Sequence, residues 1–280
     1  MGKQRPLILF TNDDGIDSPG LWAAAKAFAD IADLLIVAPR EQQSGMGRSL
    51  PNFSEGRIYP YDKTPLNGSS AFTAYAVDGT PAQAVQHGVL ELADRKPSLV
   101  ISGINYGENT GNGVTISGTI GAAIEAASLG IPALAVSMQM PQAYHLTHDK
   151  NVDFSAAAYF TRKFGEQFIG FDVLADDIDL LKLEIPWGAT PETDWRITRL
   201  SRQRTFSPTK PERTELNQVG KLGYRFNLDT SQAEPDSDIY AIHEDAVVSL
   251  TPMSLDMTSR IDRSALGTML MGETDTTPVK

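Results

Sequence analysis

Short, nearly uninterrupted apolar runs alternate with stretches of helical spacing through the first half of the chain, and this alternation limits the fold more than any other feature. A run such as Leu7-Ile8-Leu9-Phe10 has no polar face, so it suits a strand covered on both sides. Residues 6–12 read as the first such strand, 34–38 as the second, 98–102 as another and 132–137 as the next. Between them lie helical patterns. Pro19 suits the first position of a helix through Leu21, Trp22, Ala25 and Phe28, and Ala82, Val85, Val89 and Leu92 keep helical spacing over 81–92. A glycine-rich loop, 103–118, precedes a helix over 119–129 that ends at Gly130. Strands joined by crossover helices predict an α/β fold: a Rossmann-like, mostly parallel sheet with flanking helices.

Beyond about residue 140 the pattern loosens. A helix over 151–168 and strand-like pieces at 180–185, 195–200 and 246–250 suggest an α+β portion. Residues 54–77 read as a hairpin or edge strands, and the polar stretch 202–235, rich in Pro, Thr, Glu and Arg, as an extended loop or a projecting arm or hairpin. The expected division is a core carrying the site over 1–140, a C-terminal α+β portion completing the fold over 141–271, and a mobile tail over 272–280.

Charge narrows the range of partners. The 24 Lys and Arg against 35 Asp and Glu leave a formal charge of −11, which repels phosphate backbones and anionic lipid, so no nucleic-acid polymer and no membrane are expected as partners. A small anion remains compatible, because a local cation or a cluster of backbone N–H groups outweighs the far field at contact distance. The absence of cysteine excludes disulfides, thiolate metal sites and a Cys nucleophile. The apolar run at residues 7–10 is too short for a signal-peptide core, and no window approaches the roughly 18 apolar residues of a membrane helix; a cytoplasmic location is expected.

In an open parallel sheet, ligands bind beyond the carboxyl ends of the strands. The chain has Asn12-Asp13-Asp14-Gly15 at one such end. Adjacent carboxylates raise one another's pKa unless a cation compensates them, and a divalent metal is the simplest compensation; an Asx-turn with two solvated acids is the plainer alternative. The neighbouring loops offer the oxygens of Ser44, Asn105 and Asn109 and no imidazole or thiolate, a set suited to Mg²⁺ or Mn²⁺. Asn105 and Asn109 also suit left-handed turns among glycines. Ser117-Gly118-Thr119 opens a helix whose free N–H groups form an anion site, or serves as an ordinary Ser cap.

Competing motifs fail. The segment 113–119 has the glycine spacing of a P-loop but no Lys, a G-x-G-x-x-G is missing, and Ala76 stands where a D-x-D-G-T box needs its nucleophilic Asp. His145 and His148 are three apart without a third ligand nearby, and His87 suits packing or capping.

Residues 9–16, Pro19-Gly20, Val37-Ala-Pro with Ser44-Gly45, Gly79-Thr-Pro81, Ser102-Gly-Ile-Asn105-x-Gly-x-Asn109 and Ser117-Gly-Thr119 together resemble, in order and spacing, the survival protein E (SurE) family of metal-dependent 5′-nucleotidases. The resemblance runs from about residue 7 to 137 and resumes more weakly over 237–258, where His243 stands at a variable position. It implies that Asp13, Asp14, Ser44 and Asn105 hold one divalent cation, and that Ser117, Gly118 and Thr119 bind phosphate with Asn109 close by. It further implies hydrolysis of nucleoside 5′- and often 3′-monophosphates, in some members action on short polyphosphate, and assembly as a homodimer or homotetramer through swapped C-terminal elements. The segments 139–150 and 202–234 match none of its motifs. Asp14 is the candidate general base and Asp13 the firmer metal ligand, the reverse order staying open; a carboxylate committed to a metal makes a poor nucleophile, which disfavours a covalent aspartyl-phosphate. The alternative from a different class is a non-catalytic nucleotide-binding or stress-associated interaction protein that keeps the pocket without turnover.

Overall fold

A computed structural model describes residues 4–62, 72–145, 147, 149–169 and 177–271. The expected tail 272–280, His148 and the 63–71 part of the expected hairpin lie outside the described residues. In chain order the elements begin β1 (Leu7–Thr11), α1 (Pro19–Phe28), β2 (Asp33–Pro39), β3 (Ile58–Pro60), β4 (Phe72–Val77), α2 (Pro81–His87), β5 (Leu99–Tyr106), α3 (Gly118–Ser128) and β6 (Ala133–Met138). They continue with α4 (Ser155–Ile169), β7 (Leu180–Ile185), β8 (Trp195–Ile197), β9 (Phe206–Thr209), β10 (Gly223–Phe226), α5 (Asp238–His243), β11 (Val248–Met253) and α6 (Arg263–Met271).

Among the described residues, nine strands form one sheet in the order β3-β4-β2-β1-β5-β6-β7-β11-β8. From β4 to β7 every neighbouring pair is parallel, while β3 and β11 pair antiparallel with β4 and β7. The chain builds outward from β1 through β2 to β4, then returns to β5 on the other side of β1. That reversal opens a crevice at the carboxyl ends of β1 and β5. The C-terminal half continues the same sheet through β7, β11 and β8.

Two apolar layers explain the unbroken runs. Ile8, Phe10, Leu34, Ile36, Leu99 and Ile101 face a layer with Phe28, Phe160 and Phe164 of α1 and α4. Their neighbours Leu7, Leu9, Leu35, Val37 and Val100 face Val85 of α2 and Ile120 of α3. Successive side chains on a strand point to opposite faces, so a strand buried on both sides needs apolar residues throughout.

Several boundaries differ from the sequence reading. The strand expected to end at Ser102 runs on to Tyr106, because after a register shift Asn105 pairs with Ser137 and Tyr106 with Met138 of β6. Gly103 permits this: its φ is +128°, and a Cβ there would lie 2.2 Å from the Val136 carbonyl oxygen. The helix expected over 81–92 is α-helical to His87 and then widens into a π-type turn over Gly88–Leu92. The late strand starts at Val248 rather than at Ala246, which has φ +49°. Within the expected arm, β9 and β10 pair as an antiparallel hairpin, with every residue of β10 exposed.

Candidate metal and phosphate site

Asn12 shapes the turn after β1. Its Nδ2 donates to the Gly15 carbonyl at 3.0 Å, and its Oδ1 accepts the Gly15 N–H at 3.1 Å. Gly15 itself has φ +98°. Asn12 therefore performs the Asx role, and the two acids inside the turn are left for other work.

The loop after β2 lies on this turn. Ile16 N–H donates to the Pro39 carbonyl at 2.8 Å, and Gln43 N–H to the Asp13 carbonyl at 2.7 Å. Gln42 reaches Asp14 Oδ1 through Nε2 at 3.2 Å. Ser44, exposed, follows Gln43 in this loop.

Asp13 and Asp14 are 4% and 1% exposed. Asp13 meets the start of α3: the Thr119 hydroxyl donates to Oδ1, and the Gly118 and Thr119 backbone N–H groups face the carboxylate. A Cβ on Gly118 would lie 2.7 Å from the Asp13 Cβ, so only glycine lets the helix approach. Asp14 Oδ2 accepts the Tyr106 N–H at 3.2 Å, which ties it to the end of β5. The preceding residue, Asn105, donates from Nδ2 to the Gly107 carbonyl at 2.7 Å, which leaves Oδ1 as its acceptor for a cation.

Burial pushes the Asp13 carboxyl above the usual range, against the donors from Thr119 and Gly118. Asp14 is pushed well above it, by burial and then by the charge of Asp13, with the Tyr106 N–H and Gln42 opposing. Among the described residues no Lys, Arg or His forms an ion pair with either acid. Two desolvated carboxylates with hydrogen-bond donors but no countercharge fit a divalent cation, and an all-oxygen surround fits a hard one.

The structure brings Asp13, Asp14, Gly118 and Thr119 into contact and sets Asn105 beside them through Tyr106. Ser117 caps α3, accepting the Ile120 N–H at 3.2 Å. Ser117 is an N-cap, and the Gly118 and Thr119 N–H groups beyond it face the Asp13 carboxylate. Asn109 is turned toward neighbouring strands, donating from Nδ2 to Ser137 Oγ at 2.9 Å, while its N–H donates to Glu184 Oε2 at 3.0 Å.

Sequence reasoning missed Gln42, the Tyr106 N–H and a wholly buried trio, Lys182, Glu184 and Asp238. Lys182 Nζ lies 3.2 Å from Glu184 Oε1 and 3.0 Å from Asp238 Oδ2. Burial alone would lower the Lys182 ammonium, but the two carboxylates outweigh it and hold it above its usual value. A polar residue at every second place of Leu180-Leu-Lys-Leu-Glu-Ile185 was the available signal, and it reads equally as a solvent-facing strand. As for the histidines, His87 bonds Glu91 and His145 packs beside Gly107. His243 Nε2 lies 3.7 Å from Glu108 Oε1, and its Nδ1 lies 3.1 Å from Gln139 Nε2.

The family model for survival protein SurE matches residues 8–207. A Thermococcus gammatolerans protein named 5′-nucleotidase SurE is 38% identical over 272 residues, covering 95% of this chain and 96% of that protein. A Methanocella arvoryzae protein of the same name is 42% identical over 90% of this chain and 93% of its own length. The crystal structure of the SurE protein from Aquifex aeolicus superposes with a TM-score of 0.73 at 29% identity, covering 95% of this chain and all of that one.

Proposed function

From the premise that this chain belongs to the survival protein SurE family, we propose that it is a metal-dependent 5′-nucleotidase, a phosphomonoesterase that hydrolyses nucleoside monophosphates to nucleoside and phosphate. The observation that carries the reading is the buried, uncompensated pair Asp13 and Asp14 at the crevice between β1 and β5. Relatives 38% and 42% identical over nine-tenths or more of the chain are named 5′-nucleotidases. The naming of these relatives as enzymes favours turnover over the non-catalytic alternative, which would keep the same acid pair for binding.

Asp13, Asp14, Ser44 and Asn105 are the proposed ligands of one divalent cation, Mg²⁺ or Mn²⁺. Bound there, it supplies the positive charge that neutralises phosphoryl oxygens and lowers the pKa of an attacking water. Asp13, oriented by Thr119 and Gly118, is the firmer ligand. Asp14, held by the Tyr106 N–H and Gln42, is the proposed general base, the reverse order staying open. Ser117, Gly118, Thr119 and Asn109 are the proposed phosphate contacts, the first three lying at the start of α3 beside Asp13.

The substrate range extends in this reading to 3′-monophosphates and short polyphosphate. No helix among the described residues is long and apolar enough to cross a membrane, and we propose a cytoplasmic enzyme. The exposed β9–β10 hairpin, with Leu216, Val219 and Leu222 more than 70% exposed, is the proposed contact of a homodimer or homotetramer.

Phosphate release from nucleoside 5′- and 3′-monophosphates and short polyphosphate, with Mg²⁺, Mn²⁺ or EDTA, tests the reading. Release is expected to need metal and to fall at least about a hundredfold in Asp13→Asn. Folded wild type that releases no phosphate with any metal overturns it.

A further inference from the structure

The segment 107–111 reaches from the metal site to a second cluster of buried charge. Alternation along β7 puts Lys182 and Glu184 on one face of the strand, and Asp238 of α5 comes over them; all three are 0% exposed. Each carboxylate grips the segment once. Glu184 Oε2 accepts the Asn109 N–H at 3.0 Å, and Asp238 Oδ2 accepts the Gly111 N–H at 2.9 Å. Between them the Thr110 hydroxyl meets that of Thr205 at 2.8 Å.

The two acids have different work. Asp238 also accepts the N–H groups of Ser201 and Ile239, each at 2.9 Å, so it fastens the C-terminal half to the sheet. Among the described residues, the side-chain hydrogen bonds of Glu184 go to Lys182 and to the Asn109 backbone alone. A charge-assisted bond is stiffer than a neutral one, and Lys182 fixes the Glu184 carboxylate from its other oxygen. With its backbone held there, the Asn109 side chain stands at the end of β6, against Ser137.

We propose that Glu184, held by Lys182, is a positioning residue for the phosphate subsite: it sets the backbone of Asn109 so that the Asn109 amide meets the phosphate group of the substrate. This rests on the reading of Asn109 as a phosphate contact. Glu184 does not touch the substrate, and its loss weakens phosphate binding without changing the cation site.

The test compares two double variants that differ only at position 184. Lys182→Met/Glu184→Gln keeps an oxygen for the Asn109 N–H, and Lys182→Met/Glu184→Leu removes it; neither leaves an extra unpaired charge beside Asp238. Calorimetric titration with inorganic phosphate, on Mn²⁺-loaded protein, is expected to show about tenfold weaker binding for the Leu variant and a change within about threefold for the Gln variant. The Mn²⁺ affinity is expected to be equal in both. Equal phosphate affinity in the two variants overturns the proposal, because a purely structural role moves both alike. Should the Leu variant not fold, Lys182→Met/Glu184→Ala, which also removes the oxygen, replaces it in the comparison with the same expected and overturning results. Phosphate binding needs no turnover. Wild type that binds phosphate yet hydrolyses no nucleotide breaks the proposed function and still reads Glu184, whereas wild type that hydrolyses nucleotide yet binds no phosphate overturns the positioning proposal alone.

Discussion

Two clusters of buried carboxylates, joined by the segment from Asn105 to Gly111, differ in how their charge is met. Glu184 and Asp238 have Lys182 between them, and backbone N–H groups occupy the remaining oxygens. Asp13 and Asp14 have N–H and O–H donors of similar quality but no cation among the described residues. Both clusters are almost fully desolvated, so hydrogen bonding alone does not separate them. A fold that gives one pair of acids an internal cation and leaves its neighbour without one reserves the second for a charge from outside. Desolvation makes an unmet charge costly, and that cost is recovered when a ligand supplies the counterion.

The strongest way to break this contrast is to remove the internal cation. Lys182→Met is expected to cost about 3–5 kcal/mol of stability, since it strands two buried carboxylates, and urea unfolding measures it. A loss under about 1 kcal/mol would make the two clusters equivalent.

Glu108 sharpens the contrast from between the clusters. Its carboxyl is pushed up to about 7, by burial first and by the charge of Glu184. The groups facing it are Glu184 and His243, whose own pKa is lowered by burial. A carboxyl raised in the folded state holds its proton more tightly there. Its contribution to stability is complete below the ordinary value of 4.5 and is lost as the pH rises to about 7. Glu108→Gln is therefore expected to be more stable than wild type at pH 8, by up to about 3 kcal/mol, with no difference below pH 4. Comparing the two proteins at each pH cancels the opposite slope from His243. A constant difference across that range would remove Glu108 from the account.

The smallest of the three effects is the gain from the external cation. At a hundredfold excess over Kd, Mn²⁺ is expected to add about 2.7 kcal/mol and to raise the melting temperature by about 5–10 °C. EDTA reverses the gain, and Asp14→Asn abolishes it. Calorimetric scans showing the same metal-induced shift in Asp14→Asn would sever the pair from the cation.

The fold was legible where local pattern and burial agree. The runs at 7–10 and 34–38 became strands covered on both faces, and Gly130, with φ +69°, ends its helix as its position after the last apolar residue implies. Legibility failed where a partner strand decided the outcome. Nothing local shows that β5 continues past Gly103, because the continuation depends on β6 accepting Asn105 and Tyr106 in a shifted register. The site followed the same division. Asp13, Asp14 and the start of α3 stood out as strand-end and helix-start chemistry. Gln42 did not, because its role arises from a loop folding over the turn after β1.

By itself the sequence determined the layered α/β architecture and the oxygen-rich chemistry at the strand ends, since apolar periodicity and residue type act over a few residues. Only the tertiary structure decided which acids are paired. Lys182 meets Asp238 across 56 positions and Thr119 meets Asp13 across 106, and such contacts depend on sheet order rather than on neighbouring residues. The order that places β5 beside β1 brings α3 onto Asp13, and the order that places β7 beside β6 carries Glu184 to Asn109.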